Sequence, residues 1–218
     1  MTAPLVLHNF WVSSASHRVR IALHHKALPF DYVTVDILKQ DTDRFASYRA
    51  MNPQALVPTL VHGDVRLTQS LAILEYLEEI APERPLLPED PAGRARARSL
   101  AMYIVSEIQP LQNLRVFRYL QTDLGKTEAD GMAWRRHWVA LGLDALEKEL
   151  TSPATGAFCH GDAPTIADCC LVPQVHAAKR WGLDVARWPA IARIAAHAEE
   201  LDAFREAAPE NQPDAPKK

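Results

Sequence analysis

The sequence predicts a small mixed α/β domain followed by an all-helical domain. Three observations carry that prediction. The first 80 residues alternate short β-forming runs with amphipathic stretches. Pro82, Pro85, Pro88 and Pro91 then interrupt the chain, and a segment so rich in proline cannot continue a helix. Beyond them the apolar residues recur at helical spacing almost to the end. The expected organisation is therefore an α/β domain over residues 1–81, an interdomain linker over 82–92, a helical domain over 93–210 and a frayed polar tail over 211–218.

Pro4–Asn9 contains the run Leu5-Val6-Leu7 and reads as a first strand. Ser16–Lys26 places Val19, Ala22 and Leu23 on one helical face, with Arg18 and Arg20 pointing elsewhere. Phe30–Val35 is rich in β-formers, and Asp43–Ala50 is a short polar helix or irregular loop. Val57–Val61 and Val65–Leu67 flank His62-Gly63-Asp64, a hairpin signal. Gln69–Ile80 spaces Leu71, Ile73, Leu74 and Leu77 as a helix does. The order βαβ then ββα gives a small sheet with helices packed on it.

In the second domain one long helix is expected over Arg94–Leu120, with a kink at Pro110. Further helices are expected over Glu128–Leu150, Thr165–Trp181, 188–198 and 199–207. Thr165-Ile166-Ala167-Asp168 precedes an apolar run and forms a capping box. Thr165 would accept from the N–H of residue 168, and Asp168 from the N–H of residue 165. Asp168 is thus structural. Trp134, Trp138 and Trp181 are expected in the core.

Bulk properties exclude several function classes. Hydrophobic content of 48% and charged content of 23% are ordinary for a globular protein. A net charge of −3 argues against a nucleic-acid surface. No apolar run approaches the roughly 18 residues of a membrane span, and no secretory signal is visible at the N-terminus. Cys159, Cys169 and Cys170 make no disulfide framework, so a reducing cytoplasm is expected. With His160 and His176 they fit no standard metal spacing, and small buried hydrophobes are their expected role.

The chemistry concentrates at Phe10–Arg20. An apolar strand runs into Ser13-Ser14-Ala15-Ser16, which opens a helix. Helix starts carry unpaired N–H groups and partial positive charge, and hydroxyls there can hold an anion or a thiolate. The plainer role for such a serine is an N-cap. A second candidate start is Gln69-Ser70.

Four segments together resemble the glutathione transferase superfamily, and within it the zeta class and the glutathione-dependent maleylpyruvate isomerases. They are Ser13–Leu23, Asn52–Leu60 with Gln69–Ile73, Ile108-Gln109-Pro110-Leu111-Gln112-Asn113, and Gly161–Gln174. The ending Glu200–Arg205 is similar to the maleylpyruvate branch. The resemblance implies a thioredoxin-like first domain, glutathione as cofactor and a homodimer. It implies a cis Val57-Pro58 bond that leaves the Val57 backbone to the cysteinyl part of glutathione, and Ser70 with Gln69 at the γ-glutamyl carboxylate. Gln54 and Gln112 are further amide candidates, with Asn113 and Lys39 weaker ones. Ser13 is the favoured hydroxyl donor to the sulfur, and Ser14 the alternative.

The implied reaction is cis–trans isomerisation of an anionic maleyl-keto acid by thiolate addition and elimination, with glutathione regenerated. Negative charge building on the substrate calls for cations. Arg115 and Arg180 match substrate-binding positions of the isomerases and suit carboxylates. The chain departs from the pattern at Val12, where close members carry arginine. His17, Lys179 or Arg118 are candidates to supply that charge. Ala15 replaces a cysteine common in the motif, so no cysteine nucleophile is available there. Two alternatives stand beside this reading. One is a general transferase that conjugates glutathione to electrophiles. The other is a non-catalytic binding protein, which would have lost the Ser13, Val57-Pro58 or Gln69-Ser70 elements. A disulfide oxidoreductase would need a Cys-x-x-Cys near residue 13, and there is none.

Overall fold

The computed structural model describes residues 3–217. The chain divides into two compact units, Leu87–Glu199 forming the second and everything else the first. The first unit is built on four strands, β1 (Leu5–Asn9), β2 (Phe30–Thr34), β3 (Thr59–His62) and β4 (Val65–Thr68). Their order is β2-β1-β3-β4. β1 runs parallel to β2 (Leu7 opposite Tyr32) and antiparallel to β3 (Leu7 opposite Leu60). β3 and β4 form the expected hairpin, with Gly63 at φ +58° in its turn. Leu5, Leu7 and Asn9 alternate inward along β1, as one buried face requires.

Helices α1 (Ser14–His25), α2 (Asp43–Met51) and α3 (Ser70–Ile80) belong to this unit. α1 is buried along most of its length, with Val19, Ile21, Ala22 and Leu23 fully enclosed. Arg18 and Arg20 are enclosed too, at 1% and 0% exposure, and do not point to solvent as their charge suggests. Arg18 Nη1 donates to Ser70 Oγ, and the Arg20 guanidinium replaces the water it gives up with bonds to Asn9 Oδ1 and to the carbonyls of Phe10, Trp11 and Ala207. The proline-rich segment is also held. Lys26 Nζ pairs with Glu78 at 2.6 Å and donates to the carbonyls of Ala81 and Arg84.

The second unit contains α4 (Pro91–Met102), α5 (Leu114–Thr122), α6 (Glu128–Glu149), α7 (Ile166–Arg180) and α8 (Pro189–Ala198). The single long helix expected over 94–120 is two helices. After α4 the chain widens into a π-helical stretch, Tyr103–Ile108, where Gln109 N–H reaches back to Ile104 C=O at 2.8 Å. Pro110 has no N–H and cannot carry the helix on, so the chain turns and α5 starts afresh with Asn113 as its cap. Ile108 leans onto Gly142 of α6, where a Cβ would come within 2.3 Å of its side chain. α7 packs against α4 and α8 and is the most enclosed helix of the unit. Its capping box forms as the sequence predicts. Trp134, Trp138 and Trp181 are only half-buried, and the core tryptophan is Trp188. All three cysteines are free and buried.

Past α8 the chain leaves the second unit. α9 (Asp202–Ala207) and the residues after it belong to the first unit, with α9 packed on α1. The helical domain therefore does not extend to 210, and within the expected tail Asn211, Gln212 and Asp214 are held by hydrogen bonds. Gln212 is buried, and its amide nitrogen donates to the carbonyls of Glu206 and Ala208, both at 2.8 Å.

Candidate functional site

In the first unit two helix starts carry the site. Ser13 is the N-cap of α1, and its Oγ accepts from Ser16 N–H at 3.3 Å. The capping role and the thiolate role are compatible, because a hydroxyl that accepts a cap bond keeps its own proton to donate. The N–H groups of Ser14 and Ala15 have no hydrogen-bond partner among the described residues. The mouth of α1 thus offers one O–H and two N–H donors on the positive end of the helix. Ser14 lies one residue inside the helix, and its hydroxyl likewise has no partner among the described residues.

The loop before β3 is shaped from below. Tyr48 Oη and Asn52 Nδ2 both donate to Leu56 C=O, at 2.6 and 2.7 Å, and both reach Thr59 Oγ1. That grip fixes Val57. The Val57–Pro58 bond is cis. Neither the N–H nor the C=O of Val57 is hydrogen-bonded among the described residues. A free donor and acceptor side by side on a fixed backbone suit another extended peptide.

At the second helix start Gln69 sits at φ +69°, a strained backbone for a residue with a Cβ. Such strain costs on the order of 1–3 kcal/mol and collects at functional positions. It aims Ser70 into the first turn of α3, a helix whose N-cap side chain makes no capping bond. Ser70 Oγ accepts from Arg18 Nη1 at 3.1 Å, so a buried cation stands behind the hydroxyl. Gln69 Nε2 donates to Gln54 Oε1 at 2.8 Å, which brings two of the expected amide ligands together. A carboxylate fits here, where a helix dipole, a hydroxyl and a guanidinium add up. Lys39 is exposed and pairs with Asp36 at 3.7 Å. His17 differs from the expectation of a substrate-facing cation. At 1% exposure its ring has no open face toward solvent.

In the second unit Gln112 is a bridge. Its Nε2 donates to Gln174 Oε1 at 2.7 Å, and its Oε1 accepts from Trp181 Nε1 at 2.9 Å. Each end of the amide makes one bond within this unit, which fixes its orientation and leaves a second N–H and a second lone pair. Arg135 donates to Gln112 C=O and lies 3.8 Å over the Phe117 ring and 4.3 Å over Trp181. Arg180, exposed as a residue, lays its guanidinium 4.5 Å over Trp181. Burial, helped by the charge of Arg180, lowers the pKa of Arg135 to about 10. It remains protonated at neutral pH. Two guanidiniums thus share one indole, a concentration of positive charge to which the sequence reading contributed only Arg180. Arg115 is exposed near the start of α5, its N–H capped by Asn113 Oδ1 at 3.1 Å. No His, Cys, Asp and Glu cluster among the described residues could hold a metal. No described helix is long and apolar enough to cross a membrane.

The sequence reading missed Arg18, Arg20 and Arg135. A signal for the first two exists. α1 carries apolar residues at 19, 21, 22 and 23, which leaves little of its circumference for solvent, so charges at 18 and 20 fall on buried surface.

Comparison with known proteins agrees with this geometry. Residues 7–85 match the glutathione S-transferase N-terminal domain, and residues 139–208 the C-terminal domain. The maleylpyruvate isomerase of Ralstonia sp. is 46% identical over 209 residues, covering 95% of this chain and 98% of that one. The chain belongs to the zeta-class glutathione transferase family. Among solved structures, the holo form of a bacterial zeta-class maleylpyruvate isomerase superposes with a TM-score of 0.92 at 44% identity. It covers 97% of this chain and 100% of that one. The maleylacetoacetate isomerase of Anaeromyxobacter dehalogenans, solved with glutathione in its active site, gives 0.89 at 42% identity, covering 99% and 100%. The protein is an enzyme that uses glutathione.

Proposed function

We propose that this enzyme catalyses the glutathione-dependent cis–trans isomerisation of maleylpyruvate or maleylacetoacetate in the breakdown of aromatic compounds. The observation that carries the reading is the intact set Ser13, Val57 and Ser70 in a chain alignable end to end with isomerases. When bound, glutathione supplies the thiolate that adds to the activated double bond and leaves after rotation.

This chain's residues hold and charge the reactants. Ser13 Oγ–H and the α1 dipole favour the ionised sulfur at neutral pH. Val57 pairs with the cysteinyl backbone. Ser70, backed by Arg18, takes the γ-glutamyl carboxylate, with Gln54 and Gln69 beside it. Arg180 and Arg115 supply positive charge for the keto acid's carboxylates, with Arg135 reinforcing the field at Trp181. The working form is a cytoplasmic homodimer. Light scattering of the purified protein should give twice the 24.3 kDa chain mass.

Val12 supports a second reading. It puts an apolar side chain where close isomerases carry arginine, which suits conjugation of glutathione to neutral electrophiles. Assays with maleylpyruvate, maleylacetoacetate and an aromatic halide separate the two. Isomerase kcat/KM should exceed conjugation by at least about a hundredfold, roughly 2.7 kcal/mol of transition-state preference. Turnover of the halide alone would transfer the protein to the second reading.

A further inference from the structure

The C-terminal segment reaches the turn that leads into α1. Asp214 Oδ2 accepts from Trp11 N–H at 3.2 Å, across 203 positions of sequence, and its Oδ1 accepts from Tyr32 Oη–H at 2.5 Å. The carbonyl side of the same residue is held by Arg20. Its Nη2 donates to Trp11 C=O at 3.0 Å and its Nη1 to Asn9 Oδ1 at 3.0 Å, with a longer bond to Phe10 C=O. Arg20 Nε donates to Ala207 C=O, where the terminal segment leaves α9. Both the N–H and the C=O of Trp11 are therefore fixed by charged groups, one from the terminal segment and one from the interior of α1.

Trp11 lies two residues before Ser13, and Ser13 N–H closes the intervening turn onto Phe10 C=O at 3.0 Å. Phe10 and Val57 belong to one apolar cluster with Val35, Phe45 and Tyr48, against which Trp11 and Val12 pack. A shift of Trp11 would be passed to the Ser13 cap and to the Val57 backbone. The strap itself is anchored independently of Asp214, through Gln212 on Glu206 and Ala208 and through Asn211 Nδ2 on Arg205 C=O at 2.7 Å. Asp214 is thus delivered to the turn by a fixed segment.

We propose that Asp214 is a positioning residue for glutathione activation: the C-terminal strap locks Trp11 so that Ser13 Oγ–H and the free N–H groups of Ser14 and Ala15 meet the sulfur. Tyr32 and Arg20 are the other ionisable groups facing the carboxylate. Burial and the bond to Asp214 hold the Tyr32 phenol above its ordinary pKa, so it stays a donor.

The inference rests on the assignment of the sulfur to Ser13, and the test keeps the two apart. Wild type, Asp214→Ala, Asp214→Asn and Ser13→Ala are compared by two measurements. One is hydrogen exchange of residues 10–16 in the glutathione-free protein. The other is ultraviolet titration of the thiol in the bound state. Asp214→Ala should speed exchange at Ser13 and Ser16, whose N–H groups are bonded in the turn and the cap, and leave about tenfold less thiolate at neutral pH. Asp214→Asn, which keeps one acceptor for Trp11, should recover part of both and serves if the alanine variant does not fold. If Ser13→Ala raises the thiol pKa and neither Asp214 variant does, the strap has no positioning role while the Ser13 assignment stands. If no variant raises it, both fall.

Discussion

Ser13→Ala should lower glutathione-dependent isomerase kcat by about 10²–10³-fold, the usual loss when one preorganised donor to a developing or resident anion is removed. Glutathione affinity should change only a few-fold, because the other contacts proposed for the tripeptide, at Val57 and at Ser70 backed by Arg18, are left in place. The residual rate comes from the α1 dipole and the N–H groups of Ser14 and Ala15, which the substitution leaves in place. Ser13 is also the cap of α1, so alanine removes two things at once. Ser13→Gly separates them. Glycine caps within a few tenths of a kcal/mol of serine, whereas alanine costs roughly 1 kcal/mol. A glycine variant that keeps its melting temperature and loses turnover isolates the hydroxyl. Ser14→Ala should cost much less. A larger loss there than at Ser13 would move the donor role one residue along.

How far the sequence reaches depends on the range of the interaction. Strands, hairpin and capping boxes are written in neighbouring residues, and β1 to β4, α1 and α3 appear within a residue or two of their expected bounds. Ser13 as a cap is equally local. The break after α4 is half legible. Pro110 announces that the helix cannot run through it, but nothing local marks the π-helical stretch before it, whose last residue, Ile108, meets Gly142 of a distant segment. The largest misreadings concern buried charge. Arg18 and Arg20 look like solvent-facing residues on an amphipathic helix. Their partners, Ser70 at a separation of 52 and Ala207 at 187, exist only once the chain is folded. Composition likewise suggests a loose tail at Asn211 and beyond. Asp214 is held because Trp11 and Tyr32 present two donors to it, and no local pattern records that. Gln112 carries a role that its place in the class signature does not announce, a bridge from Gln174 to Trp181 between segments distant in sequence.

Asp168→Ala should destabilise the protein by about 3–5 kcal/mol, through the capping box and the loop that its carboxylate ties together. The carboxylate is fully enclosed. Its Oδ1 accepts from Cys159 N–H at 2.8 Å, and its Oδ2 from Thr165 N–H and Thr165 Oγ1 at 2.8 and 2.9 Å. Burial pushes its pKa up, against the pull of the Cys159 and Thr165 donors. Alanine would leave two backbone N–H groups and a hydroxyl buried with nothing to donate to, and each such group costs about 1–3 kcal/mol. It would also untie the 158–161 loop from α7, the helix on which α4 and α8 pack. A melting temperature about 10 °C lower is expected, at 2–4 °C per kcal/mol for a chain of this size. α6 provides the internal control. Thr127 and Asp130 form the same capping box there, with Asp130 N–H donating to Thr127 Oγ1 at 3.1 Å, but both residues are exposed. Thr127→Ala should cost only about 1 kcal/mol, because water takes over the freed N–H. Equal losses at the two boxes would mean that the motif itself, and not its burial, sets the stability of α7.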